Sequence, residues 1–221
     1  MNLVISATGT SILKHLVTQE ELNSLIDRDI QAKDKQSVIR IEEKARKKLE
    51  NTNIEPKIIS SEINSLNKMA EKRIIAPLED KIYLLYSDTL DGYIATIMVK
   101  KYLEEKLGFN NVEKVLLENI KITNTKNFIE GSQRLNNFLY EKVIKESDNL
   151  IKIIINITAG FKCLLPIFTM FYLELKSRNI HTILCYLFEN QEDIISYKFN
   201  NDNQAVFSTW EDSSITLNES L

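Results

Sequence analysis

Apolar and polar positions along the chain follow two rhythms. Short, nearly continuous apolar runs occur at Asn2–Ser6, Lys81–Tyr86, Val112–Ile122, Ile151–Ile157, Ile180–Phe188 and Ile194–Phe199. Runs of about four to eight such residues read as strands, and those without polar alternation read as strands buried on both faces. Between them the spacing becomes helical. Helices are predicted over Gln19–Asp27, over Asp29–Asn51 with Ile30, Val38, Ile41, Ala45 and Leu49 on one side, and after Pro56 over Ile58–Lys72. Three more run from Leu90 to about Leu107, over Thr125–Ser147, and from Lys162 to about Lys176. Strands alternating with helices predict a doubly wound α/β fold. Its sheet is expected to be mainly parallel and six-stranded, with an antiparallel edge hairpin across Glu189–Asp193. Residues 18–75 form a charge-rich helical insertion after the first strand, expected to be a solvated or dimerising face rather than a chemical site. Residues 1–200 make the domain and 201–221 a polar tail, with Val206, Phe207 and Trp210 as its candidate anchors.

Composition narrows the function classes. The 221 residues are 43% hydrophobic and 27% charged with five glycines and three prolines, which suits a helix-rich globular protein. A net charge of −3 gives the surface no general attraction for duplex nucleic acid, so a nucleic-acid ligand would have to be small and held locally. Cys163 and Cys185 lack CxxC spacing and read as reduced thiols of a cytoplasmic protein. With His15 and His181 the only histidines, no zinc-type cluster is expected, and no metal or cofactor. The opening MNLVISATGTS lacks the pattern of a signal peptide. The apolar run Cys163–Leu175 is too short to cross a bilayer, so no membrane contact is expected.

Candidate chemistry lies where strands turn into helices. Three such corners share small and hydroxyl residues: Ala7–Ser11, Ser87–Thr89 and Thr158–Lys162. A helix start leaves backbone N–H groups unpaired and carries partial positive charge, which favours a phosphate, and Lys162 adds a full charge. The same residues also suit plain capping: Thr10 or Ser11 for the first helix, Ser87, Asp88 or Thr89 for the next. Gly92, one turn into that helix, lets a ligand or a neighbouring backbone approach. His15 follows Ser11 by one helical turn, but no acidic third member accompanies the pair. In a doubly wound sheet all three corners lie at the carboxyl ends of strands, where such folds bind ligands.

In order along the chain, SATGTSIL (6–13), YSDTLDG (86–92), ENIKITNTKNFIEGSQRLNNF (118–138), NITAGFK (156–162) and YLFEN (186–190) resemble the CRISPR-associated Rossmann-fold (CARF) domains. More narrowly, the set resembles the stand-alone members that act as ring nucleases. A second glycine is common in the family where Ala159 stands. The resemblance implies a Rossmann-like sheet and a homodimer binding a cyclic oligoadenylate, most often cyclic tetra-adenylate, across its two-fold axis. It implies metal-independent cleavage, in which a ribose 2′-hydroxyl attacks its own 3′-phosphate and leaves a 2′,3′-cyclic phosphate, switching off type III CRISPR signalling. By this match Lys162 stabilises the scissile phosphate and Ser11 orients the phosphate or the attacking hydroxyl. Thr10 and Thr158 support them, and Ser87, Asp88 and Thr89 line the nucleotide pocket. Thr8, Gly9, Gly92, Asn156, Ala159, Gly160 and Phe161 complete the expected ligand contacts. Two other readings stay open: a non-cleaving sensor of the same ligand that signals to a partner effector, and an unrelated mononucleotide-binding domain.

Overall fold

The computed structural model describes residues 1–26, 28–120, 125–145, 150–158, 160, 162–188, 192–200 and 204–210, with residue 162 described by its backbone alone. Seven strands form one sheet: β1 (Asn2–Ala7), β2 (Lys81–Ser87), β3 (Asn111–Leu117), β4 (Lys152–Asn156), β5 (Thr182–Leu187), β6 (Ile194–Phe199) and β7 (Ala205–Thr209). Their order is β3-β2-β1-β4-β5-β6-β7. The first five strands pair in parallel, and β6 and β7 are antiparallel at one edge. The mainly parallel sheet with an antiparallel edge is as expected. The strand count is not: the sheet has seven strands rather than six. Residues 205–209, assigned to the polar tail, pair with β6, Phe199 opposite Ala205 and Ile195 opposite Thr209. Val206 and Phe207 stay exposed on this strand, so no inward-facing alternation marks it in the sequence. Trp210 does pack against the core.

The described residues contain eight α-helices: α1 (Leu13–Leu16), α2 (Gln19–Leu25), α3 (Gln36–Asn51), α4 (Pro56–Ile59), α5 (Ser61–Glu71), α6 (Leu90–Leu107), α7 (Thr125–Phe138) and α8 (Leu165–Ser177). Helix α3 begins seven residues later than the periodicity suggests. A 3-10 turn at Ile30–Ala32, started by the Asp29 side chain accepting from Gln31 N–H, takes up the first part. Beyond α7 the chain continues as a π-helical turn, Leu139–Ile144.

Strand alternation builds two cores, one on each face. Val4, Ile82, Leu84, Ile154, Ile183 and Cys185 point to one side, where they meet α1 to α6. Leu3, Ile5, Tyr83, Leu85, Ile153, Ile155 and Leu184 point to the other, under α7 and α8. The nearly unbroken apolar character of these strands is thus the signature of burial on both faces. The insertion is not solvated throughout, because one side of it packs into the core. Leu22, Leu25, Val38, Ala45, Leu49, Ile63, Leu66 and Met69 are buried in the same core as α6. Its charged residues occupy the outer sides of amphipathic helices, while their apolar sides join one core face.

The central strand β1 lies between β2 and β4. From β1 the chain steps outward to β2 and β3, then returns to the other side of β1 for β4 and β5. The carboxyl ends of β1 and β4 are therefore adjacent, at the place where the order reverses. Gly160 holds the turn after β4 against the end of β1. It adopts φ +87°, and a Cβ there would overlap the Ala7 Cβ and lie 3.0 Å from its carbonyl carbon. Gly160→Ala should therefore destabilise the fold by about 1–3 kcal/mol from the left-handed backbone and the overlap together. The midpoint of urea unfolding measures this, and an unchanged midpoint would contradict the packing.

Candidate functional site

The first and third corners meet. A Cβ built on Gly9, in the turn after β1, would stand 3.7 Å from the Gly160 backbone nitrogen. Beneath this contact Asn156, fully buried at the end of β4, ties three elements together. Its Nδ2 donates to Ser6 Oγ of β1 (3.1 Å) and Ser65 Oγ of α5 (2.8 Å), and its Oδ1 accepts from Thr158 N–H (3.2 Å). The Thr158 hydroxyl in turn accepts from Leu187 N–H at 2.9 Å, which fixes the end of β5. Asn156 and Thr158 thus spend these groups on the scaffold, where they set the corner's shape.

Beside the joined corners opens a cleft of about 380 Å³, lined by Ser11, Lys14, His15, residues 57–61, Asn64, Thr158 and residues 186–188. It takes one wall from the first corner and α1, one from α4 and α5 of the insertion, and one from the end of β5. Lys14 and Lys57 supply positive charge, and no Asp or Glu is among the described residues that line it. Among the described residues Lys57 pairs at long range with the exposed Glu192, at 3.9 Å. Tyr186 and Phe188 form an edge-to-face pair, ring centres 4.8 Å apart. A cationic cleft with an aromatic wall suits a small anion carrying flat rings. Of these residues, Lys57, Ser60, Ser61 and Asn64 escaped the sequence reading because they belong to the insertion, whose distance in sequence from the corners hid its proximity in space. Lys14 lies one turn beyond Ser11 with no pattern to single it out. Tyr186 and Phe188 stood only within the YLFEN block.

The predicted site residues fall into distinct environments. Ser11 lines the cleft, but neither it nor Thr10 caps a helix: α1 is a single turn starting at Leu13, with no side-chain cap. So short a helix contributes little dipole, and the first corner's chemistry rests on its own polar atoms. The Ser11 and Thr8 hydroxyl oxygens are buried without a hydrogen-bond partner. Ser11 and His15 share the cleft without bonding to each other, so no nucleophilic pair is formed. Gly9 N–H is already engaged, donating to the Glu62 carboxylate.

The second corner is placed apart from the cleft. Thr89 accepts from Gly92 N–H (3.2 Å) as the cap of α6, and its hydroxyl meets Ser87 Oγ at 2.8 Å. A Cβ on Gly92 would crowd both hydroxyls, so this glycine makes room for neighbouring side chains. Asp88 Oδ2 accepts from Asn119 N–H at 3.1 Å, while its Oδ1 has no partner. The insertion segment 28–30 lies over this corner: Leu90 N–H donates to Arg28 O (2.9 Å) and Ile30 N–H to Asp88 O (3.0 Å). Ala159, Phe161 and the side chain of Lys162 lie outside the described residues; the Lys162 backbone opens a 3-10 turn, Lys162–Leu164, that leads into α8. Cys185 is buried in β5, and burial pushes its thiol up to about 12, so it packs rather than reacts. Among the described residues no three His, Cys, Asp or Glu come together as a metal site, and no helix is long and apolar enough to cross a membrane.

Residues 57–197, well over half of the chain, match the family described as CRISPR-associated protein (Cas_APE2256). The chain belongs to this CRISPR-associated family. Among curated proteins none matches it. The family match carries the insertion wall and the β5 wall of the cleft, Lys57 to Asn64 and Tyr186 to Phe188, together with the third corner. The first corner, with Ser11, precedes it.

Asn156 carries the geometry of this site. Asn156→Ala would leave Ser6 Oγ and Ser65 Oγ buried without their donor, and should cost about 1–3 kcal/mol. Chemical denaturation checks this, with a loss under about 0.5 kcal/mol counting against the role of that bridge.

Proposed function

We propose that this CRISPR-associated chain is a CARF-type ring nuclease with a Rossmann-like sheet. In this reading two copies bind one cyclic oligoadenylate, cyclic tetra-adenylate first among them, and cleave it without a metal. The observation that carries the reading is the meeting of the first and third corners beside a cationic, aromatic-walled cleft. Lys14 and Lys57 would attract phosphates locally although the chain is acidic overall. Tyr186 and Phe188 would offer faces and edges to adenine.

The reaction asks for positioning more than for strong acids or bases. The ribose 2′-oxygen forms a bond to the adjacent phosphorus, the bond from phosphorus to the next nucleotide's 5′-oxygen breaks, and the proton lost by the 2′-hydroxyl is balanced by one gained at the 5′-oxygen. The chain's part is to hold the three atoms in line and to stabilise charge on the non-bridging oxygens. Lys162, from the third corner, is assigned to that charge. Ser11, whose hydroxyl has no hydrogen-bond partner among the described residues, is assigned to orienting the phosphate or the attacking hydroxyl. A two-fold ring calls for a two-fold protein, since an isologous pair presents each corner twice. The groove between α7 and α8 offers a face for the second copy: about 340 Å³, lined by Phe128, Ile129, Ile167 and Met170, with Met170 70% and Ile129 52% exposed.

Incubation of the purified protein with labelled cyclic tetra-adenylate in EDTA should give linear product ending in a 2′,3′-cyclic phosphate. Lys162→Ala should lower the rate about 10²–10³-fold while retaining some binding, and Ser11→Ala should slow it less. Unchanged turnover in Lys162→Ala would remove that assignment. A ring that binds and stays closed would make the chain a sensor that signals to a partner effector, and a co-purifying mononucleotide on a monomer would favour the unrelated nucleotide domain. Met170→Glu should yield a folded monomer by sedimentation equilibrium with ring affinity lost; an intact dimer would move the interface elsewhere.

A further inference from the structure

Among the described residues of the insertion, Glu62 is the carboxyl group buried in the core beneath the site. It sits in the first turn of α5, only 1% exposed, with Oε1 accepting from Gly9 N–H. Its Oε2 is buried without a partner, and so are the hydroxyl oxygens of Thr8 and Ser11 on the turn it holds. Two oxygens of the turn and one of the carboxyl that holds it are thus left unsatisfied among the described residues. No lysine or arginine pairs with Glu62 among the described residues. What faces it is uncharged: Thr8 to Ser11 from the turn, Ser60 and Ser65 from its own helix, and Asn156 from β4, which reaches it through Ser65. Lys14, His15 and Lys57 line the cleft without bonding to it. On the β6 side Glu192 and Asp193 are taken by Lys68 and Lys72.

A buried carboxylate with no cation beside it among the described residues, directly under a turn expected to meet a phosphate, would oppose the ligand. A buried carboxylic acid would not. Resting on the reading of an anionic ligand given above, we infer that Glu62 is a positioning residue that works as an uncharged acid, holding the Thr8–Ser11 turn through Gly9 N–H and keeping negative charge away from the bound anion. Burial supports this by pushing its carboxyl above the ordinary value of 4.5, an effect only partly offset by hydrogen bonding, the Gly9 N–H bond included. The insertion thereby acts on the site from below as well as walling it from the side.

The sign of the pH effect follows. A carboxyl whose folded-state pKa is raised gives its full stability below the unfolded value, near 4.5, and loses it as the pH rises through the folded value. Ligand affinity that requires the neutral form falls over the same range, by about tenfold per pH unit above the folded pKa. The test uses the intact protein and cyclic tetra-2′-deoxyadenylate, which lacks the attacking hydroxyl, with binding followed by calorimetry between about pH 5 and 9.5. Affinity should fall with pH for the native protein and stay level for Glu62→Gln, which keeps an acceptor for Gly9 N–H and cannot ionise. Parallel profiles for the two proteins would overturn the inference. If neither binds the ring at any pH, the ligand reading fails, and Glu62 is then judged by melting alone. The Tm of Glu62→Gln should gain on that of the native protein as pH rises, and a constant difference would overturn the uncharged role. Glu62→Ala, which loses the Gly9 contact, should bind more weakly at every pH, and binding equal to native would also overturn it.

Discussion

The close approach of Gly160 to Ala7 is the constraint on which the site depends. It lets the turn after β4 lie directly on the end of β1, so that two segments about 150 residues apart in sequence share one floor. Any side chain at 160 would hold these turns apart, and Ser11 would no longer share a cleft with Thr158 and the end of β5. The Asn156 amide adds direction to this contact. By bonding Ser6, Ser65 and the Thr158 backbone it fixes the height of α5 over the sheet, and α5 is the wall that brings Asn64 and Glu62 to the corner.

The local charge pattern differs from that of the whole chain. A protein of net charge −3 gathers Lys14 and Lys57 around one cleft, while the glutamate beneath it is buried away from water, where its neutral form is favoured. Burial therefore does what composition does not: it selects which charges the cleft presents. The second corner illustrates the opposite outcome. Its hydroxyls bond to each other and to the helix they start, and residues 28–30 lie across it, so its polar groups serve the fold.

The insertion has a double role that charge counting missed. Its apolar stripe completes one core face, with Ala45, Ile63, Leu66 and Met69 fully buried, and its polar edge supplies Lys57, Ser60, Ser61 and Asn64 to the cleft. A segment of this kind couples the stability of the domain to the shape of the site, since the same helix that packs into the core through Ile63 also holds the Gly9 turn through Glu62.

The sequence by itself determined the parallel strands, because burial on both faces leaves unbroken apolar runs such as Ile153–Ile155 that no exposed segment tolerates. It also placed the three corners, since Gly, Ser and Thr between an apolar run and a helix mark a turn whatever the surroundings. Tertiary structure alone decided β7, which forms on the edge of β6 through backbone pairing and the contacts of Phe207 with Tyr197 and of Ser208 with Ser196. It alone decided which corners meet, and it alone put Lys57 in the cleft and Glu62 beside Gly9. Local pattern records how one residue faces its own element, whereas a site is made of faces from different elements, and their meeting is fixed by packing that no short stretch of chain contains.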